Sequence, residues 1–96
     1  GAQGILAYAW RKEGVRAGVP DIFLAHWGYS LRQTNRYFGL FTEMKTEKRR
    51  KEKDGGCSKE QLEWLVDLAN NGYCVAVCYG WQDARDTLIN YLEGKC

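Results

Sequence analysis

Ninety-six residues suffice for one small domain, 1–96, around one hydrophobic core, and leave no room for a second folding unit. A hydrophobic content of 45% with four Trp, six Tyr and three Phe excludes a disordered chain. Apolar runs of only a few residues fall far below the roughly 20 needed to cross a bilayer, and no signal segment opens the chain, so a soluble, cytoplasmic domain without membrane contact is expected.

The net charge of +2 is unevenly spread, because Lys45 to Lys53 holds six basic and two acidic residues. Such a segment fits either a phosphate-binding loop or a solvated surface. Ile5, Leu6, Ala9 and Trp10 recur at helical spacing and Gly14 stops the pattern, which predicts a first helix over Ile5 to Lys12. Gly14, Gly18 and Pro20 punctuate a turn, and Asp21 to Ala25 reads as a brief buried strand with Asp21 at its mouth. His26 to Arg36 is polar and mixed. Tyr37 to Lys45 resumes a strand pattern, with Phe38, Leu40, Thr42 and Met44 on one face and Phe41, Glu43 and Lys45 on the other.

Thr46 to Gly56 is charged and Gly-terminated, as in an exposed, mobile loop. Ser58 stands three residues before Gln61 at the head of an apolar-periodic run, a capping-box start to a helix that Gly72 ends. Tyr73 to Tyr79 suits a strand and Trp81 to Leu92 a last helix. The order is α-β-β-α-β-α, an α/β sandwich whose final β-α-β unit should set two strands in parallel. Cys57, Cys74, Cys78 and Cys96 contain no CxxC pair and His26 is the lone histidine, too few soft ligands for a zinc site. Reduced thiols are expected. On a strand, Cys74 and Cys78 share a side but stand roughly 13 Å apart, beyond disulfide reach.

The chemistry concentrates in Pro20-Asp21, followed 22 residues later by Glu43-Met44-Lys45, a PD…ExK pattern. Phosphodiester hydrolysis needs a hard cation to polarise the phosphate and acidify an attacking water, and Mg²⁺ or Mn²⁺ prefers carboxylate and carbonyl oxygens. Asp21 and Glu43 supply carboxylates, and the Met44 backbone carbonyl is a further donor. Lys45 lies on the same strand face as Glu43, about 7 Å along it, where its ammonium can orient water and stabilise developing negative charge.

The run Gly14 to Asp21, then Phe41-Thr-Glu-Met-Lys45, Ser58-Lys-Glu-Gln61 and Gly72 to Trp81 together resemble the VRR-Nuc family of virus-type replication-repair nucleases, over nearly the whole chain. The resemblance implies a restriction-endonuclease-like PD-(D/E)xK core with a mixed central sheet flanked by helices, and Mg²⁺ or Mn²⁺ as cofactor. It implies branched DNA as substrate and the bacteriophage, Holliday-junction-resolvase type of stand-alone homodimer, encoded by phage or bacterium. It carries site roles onto Asp21, Glu43, Lys45 and Gln61, and a basic residue near the scissile phosphate onto Arg16. Gln61 could alternatively serve only the capping box, and Arg16 only a solvated turn. Lys48, Arg49, Arg50, Lys51 and Lys53 are the residues of the basic segment expected to bind nucleic acid.

Family members usually carry an additional N-terminal helix with a glutamate that reaches the metal site. This chain begins after that point and Glu13 is no evident replacement. The second function to weigh is therefore a non-catalytic DNA-binding or assembly module on the same scaffold. Trp64 and Trp81 read as core or dimer contacts. Trp27, Tyr29, Arg32 and Arg36 form an aromatic, basic stretch that could wedge into a junction or pack across a dimer.

Overall fold

The computed structural model describes residues 18–32 and 35–96, and the backbone of 9–11. Among the described residues six strands follow one another: Ala9–Arg11 (β1), Ile22–Leu24 (β2), Gly28–Ser30 (β3), Asn35–Tyr37 (β4), Leu40–Lys45 (β5) and Cys74–Tyr79 (β6). Four of them build a mixed sheet in the order β1-β2-β5-β6. β1 and β5 both pair antiparallel with β2, and β5 pairs parallel with β6. β3 and β4 form a separate hairpin. Among the described residues the α-helices are α1, Lys59–Asn70, and α2, Trp81–Leu92.

The expected α-β-β-α-β-α order is therefore corrected at two places. Ala9–Arg11 is a strand on the edge of the sheet where a helix was expected, because pairing with Ile22–Leu24 satisfies its backbone and overrides helical spacing. The rest of that predicted helix, with Gly14 and Arg16, lies outside the described residues. The stretch 26–36 is also not irregular throughout, since it carries the β3-β4 hairpin. Tyr37 belongs to that hairpin, which shortens the expected strand to Leu40–Lys45. The charged segment after it forms two successive 3₁₀ turns, Glu47–Lys51 and Lys53–Gly56, rather than an open loop.

The alternation of β5 sorts the core. Leu40, Thr42 and Met44 lie beside Cys74, Ala76 and Cys78 of β6 and face α2, where the Cys78 thiol meets the Thr87 hydroxyl at 3.3 Å. Leu40, Cys78 and Tyr91 are almost fully buried there, so Cys78 is core, as a strand thiol should be. The other face carries Phe41, Glu43 and Lys45 under α1. Phe23 stacks on its cross-strand partner Phe41 at 4.4 Å, and Tyr73 closes edge-on at 5.2 Å. Such aromatic pairs contribute about 0.5–1.5 kcal/mol beyond burial, enough to hold the β2–β5 register.

The capping box of α1 is formed in full: Gln61 N donates to Ser58 Oγ at 3.1 Å and Ser58 N to Gln61 Oε1 at 2.8 Å. At its other end Tyr73 N and Gly72 N return to Leu68 O and Ala69 O, so the helix stops where the glycine predicts. Among the described residues no helix is long and apolar enough to cross a membrane.

Candidate active site

The register of β2 on β5 pairs Ile22 with Thr42, so one step further sets Asp21 opposite Glu43. Asp21 Oδ2 accepts a hydrogen bond from Met44 N at 2.7 Å, which ties the carboxylate to the β5 backbone beyond the last paired residue. In an extended strand the N–H and C=O of one residue point to the same neighbour, so the Met44 carbonyl also faces the Asp21 side.

Gly18 sets the approach of this segment to α1. It has φ +89°, and a Cβ built there would fall 2.8 Å from the backbone of Glu60, one residue before Gln61. Only a residue without a side chain lets the chain cross that close in a left-handed conformation. The turn leading to Asp21 is thereby seated against the first turn of α1.

Glu43 is 2% exposed, and a buried carboxylate costs free energy unless it is paired and hydrogen-bonded. Lys45 Nζ stands 3.7 Å from its Oε2, and Gln61 Nε2 donates to the same oxygen at 3.0 Å. Gln61 Oε1 in turn accepts from Lys45 Nζ at 2.9 Å while holding the cap bond to Ser58 N. The two roles weighed for Gln61 therefore coexist in one amide. Its oxygen faces two donors and its nitrogen a carboxylate, which fixes the amide orientation by the network itself.

The structure thus brings Asp21, Glu43, Met44, Lys45 and Gln61 together. The donor set is two carboxylates and one backbone carbonyl, all hard oxygens. Among the described residues no group of three or more His, Cys, Asp or Glu gathers into a metal cage. Two carboxylates suit Mg²⁺ or Mn²⁺, because Mg²⁺ keeps several waters and takes substrate phosphate oxygens as its remaining ligands. The residues fit the cation that the PD…ExK pattern implies.

Beside these residues opens a cleft of about 530 Å³ lined by Lys45, Gln61, Cys57 and Ser58 and by Arg49, Glu52 and Lys53 of the 3₁₀ turns. Burial pushes the Cys57 thiol above its ordinary value, and both Lys45 and Glu43 lie near enough to act on it. The other basic residues divide. Lys48 and Lys51 are exposed and do not line the cleft. Arg50 turns away from it: its Nε and Nη2 donate to Glu47 at 2.9 and 3.0 Å, its guanidinium lies 4.7 Å over the Tyr79 ring, and Asp83 is 3.9 Å away. The bond to Arg50 holds the Glu47 carboxyl below its ordinary value. Spacing alone does not reveal this split, because the unbroken basic run Lys48 to Lys51 has no polar-apolar alternation to mark which face each side chain takes.

For the aromatics the structure narrows the readings weighed. Trp81 is 66% exposed with Arg85 at 5.3 Å over its ring, so it is not core. Trp27 is 63% exposed on the approach to the hairpin, with Arg36 at 5.9 Å. The hairpin sits at the opposite end of β5 from Glu43 and Lys45, held by Tyr91 OH donating to His26 O and by Ser30 Oγ donating to Cys96 O at 2.8 Å.

Comparison with known proteins bears on the fold and the family. A solved structure described as a "VRR_NUC domain protein" superposes with a TM-score of 0.68 at 23% identity, over 91% of this chain and 69% of that one, a likeness of fold. No curated protein matches the sequence. The VRR-NUC domain family matches residues 2–82. With the match spanning most of its length and the fold shared, the chain belongs to the VRR-NUC domain family, a nuclease-type domain.

Proposed function

We propose that the chain is a divalent-cation-dependent endonuclease that hydrolyses phosphodiester bonds in branched DNA, in the manner of a Holliday-junction resolvase. The observation that carries the reading is the Gln61 amide bridging Lys45 and Glu43 beside an Asp21 carboxylate anchored on Met44 N. A site built only for stability would gain nothing from burying Glu43 and Lys45 together, since an apolar pair is at least as stable.

Asp21, Glu43 and the Met44 carbonyl would hold Mg²⁺ or Mn²⁺, which when bound polarises the phosphate and acidifies a water. Lys45 stands ready to donate to the attacking water or a non-bridging phosphate oxygen, where its charge meets the negative charge that develops during displacement. Gln61 keeps the ammonium and the Glu43 carboxylate at fixed mutual orientation. Arg49 and Lys53 of the basic segment after β5, with Arg16 before β2, supply the attraction for the DNA backbone. The reading takes the protein as a homodimer in the host-cell cytoplasm, two sites facing two strands of a junction, and light scattering that returned a monomer mass would remove that part.

The test is cleavage of labelled four-way junction, flap and linear duplex DNA with Mg²⁺, Mn²⁺ or EDTA. Cutting that favours branched DNA, ceases in EDTA and disappears in Asp21→Ala is expected, with Lys45→Ala lower by about 10²–10³-fold. Cutting retained by a folded Asp21→Ala protein would overturn the assignment. Junction binding without cutting by the unsubstituted protein would make it a binding module.

A further inference from the structure

We propose that Arg49 and Lys53 form a second phosphate subsite, which holds the phosphate next to the scissile one on the cleaved strand, and that Arg50 within the same basic run serves the fold instead. The inference rests on the nuclease reading and sharpens how its substrate is held.

The cleft that begins at Lys45 and Gln61 continues to Arg49 and Lys53. A strand whose scissile phosphate lies at Lys45 would then lay its neighbouring phosphate along the wall beyond it, where Arg49 and Lys53 stand beside Glu52 and Asp54. Arg49 is placed with care: a Cβ at Gly56 would come 3.1 Å from Arg49 Cβ and 3.2 Å from its Nε, so the arginine stem lies on bare backbone. Its Nε donates to Glu52 at 3.1 and 3.3 Å, an exposed pair between side chains about half accessible. Such a pair contributes little by itself, and a phosphate accepting a bidentate bond from the guanidinium is the stronger partner. Lys53 precedes Asp54 and Gly55, both left-handed at φ 56° and 63°, and Tyr79 OH donates to Gly55 O at 2.7 Å. The turn that presents Lys53 is thus moored to the sheet.

Arg50 makes an equally exposed pair with Glu47, between side chains 50% and 68% accessible, but it has further partners as well. Glu47 takes two of its N–H groups, the Tyr79 ring takes its face, and Asp83, which accepts from Tyr79 N at 2.8 Å, stands beyond. Engaging DNA would have to dismantle that arrangement. The guanidinium and the Tyr79 hydroxyl together moor the basic turns to β6 and the start of α2.

The experiment measures the affinity for a four-way junction in EDTA as a function of salt, where the DNA stays uncut. Removing one cation that neutralises a phosphate lowers the slope of log K against log salt by about one. Arg49→Gln/Lys53→Gln is expected to lower it by about two, whereas Lys48→Gln/Lys51→Gln and Arg50→Gln leave it in place, and Arg50→Gln instead lowers the melting temperature. The single variants Arg49→Gln and Lys53→Gln, each at an accessible position, should each lower it by about one and guard against misfolding of the pair. An unchanged slope in the double variant, with Mg²⁺-dependent cutting intact in the unsubstituted protein, overturns the subsite and leaves the nuclease reading standing. A fall of about one in Arg50→Gln overturns the division of roles. An unsubstituted protein that neither binds nor cuts overturns both readings.

Discussion

Gln61 and Ser58 allow the cap and the site to be separated by experiment, because they share one network but not one duty. Ser58→Ala removes the hydroxyl that accepts from Gln61 N and should cost about 1 kcal/mol of stability, while the amide still reaches Glu43 and Lys45. Gln61→Glu keeps an oxygen for the Ser58 N–H and hence the capping box. It replaces the donor that lies 3.0 Å from Glu43 Oε2 with a second carboxylate. Like charges at that distance raise one of the two pKa values and pull Lys45 out of line. Ser58→Ala should therefore melt earlier yet cleave at close to the unsubstituted rate, whereas Gln61→Glu should be less active by about 10- to 100-fold. Equal activity in the two variants would reduce Gln61 to a cap. Glu43 and Lys45 were legible because their spacing is read along a strand of period two, and Asp21 because Pro20-Asp21 stands at the mouth of another strand. The bridging amide was half legible, since Ser-x-x-Gln announces a cap but not what the far side of the amide touches.

At the scale of elements, long periodic segments reported themselves and three-residue strands did not. The alternation of Leu40 to Lys45, the run from Ser58 to Gly72 and the helix from Trp81 to Leu92 all stand as read. Ala9–Arg11 is too short to show alternation, and its apolar neighbours happened to recur at helical spacing. Its strand state is decided by a partner distant in sequence, Ile22–Leu24, in the register Ala9↔Leu24 and Trp10↔Phe23. The hairpin of Gly28–Ser30 and Asn35–Tyr37 has hardly any apolar face to betray it. The element that matters most for the site is the turn at Gly18, whose close crossing no pattern announces. Gly18→Ala meets the Glu60 backbone and a disfavoured φ together. It should lose about 1–3 kcal/mol in a denaturant melt and lower cleavage with it, since Asp21 follows three residues later. A variant of full stability would show that the crossing can relax.

For the whole molecule, the thiols and phenols of the interior set the alkaline limit. Burial, reinforced by the neighbouring Cys96 thiol, pushes the Cys74 thiol up to about 12, and burial raises Cys57, Cys78, Tyr37 and Tyr91 as well. Each group holds its proton more tightly folded than unfolded, so the folded state binds more protons between the two pKa values and stability falls as pH rises through that window. The stabilisation is complete below about pH 8.5, where unfolded cysteines begin to ionise, and is withdrawn progressively toward pH 12. Melting temperature should be flat through neutral pH and decline above about pH 9. A melting temperature unchanged at about pH 10.5, well inside that window, would mean these groups are open to water.

Because one amide both starts α1 and aligns Glu43 with Lys45, the first turn of that helix acts as a fuse. Helix ends fray on far shorter times and at far lower free energy than a domain unfolds. Every opening of Ser58 to Gln61 releases the ammonium and the carboxylate together, with the sheet beneath still intact. Activity would then track a local equilibrium at one helix terminus, so heat or mild denaturant would silence the nuclease while most of its structure persisted, and cooling would restore it without refolding.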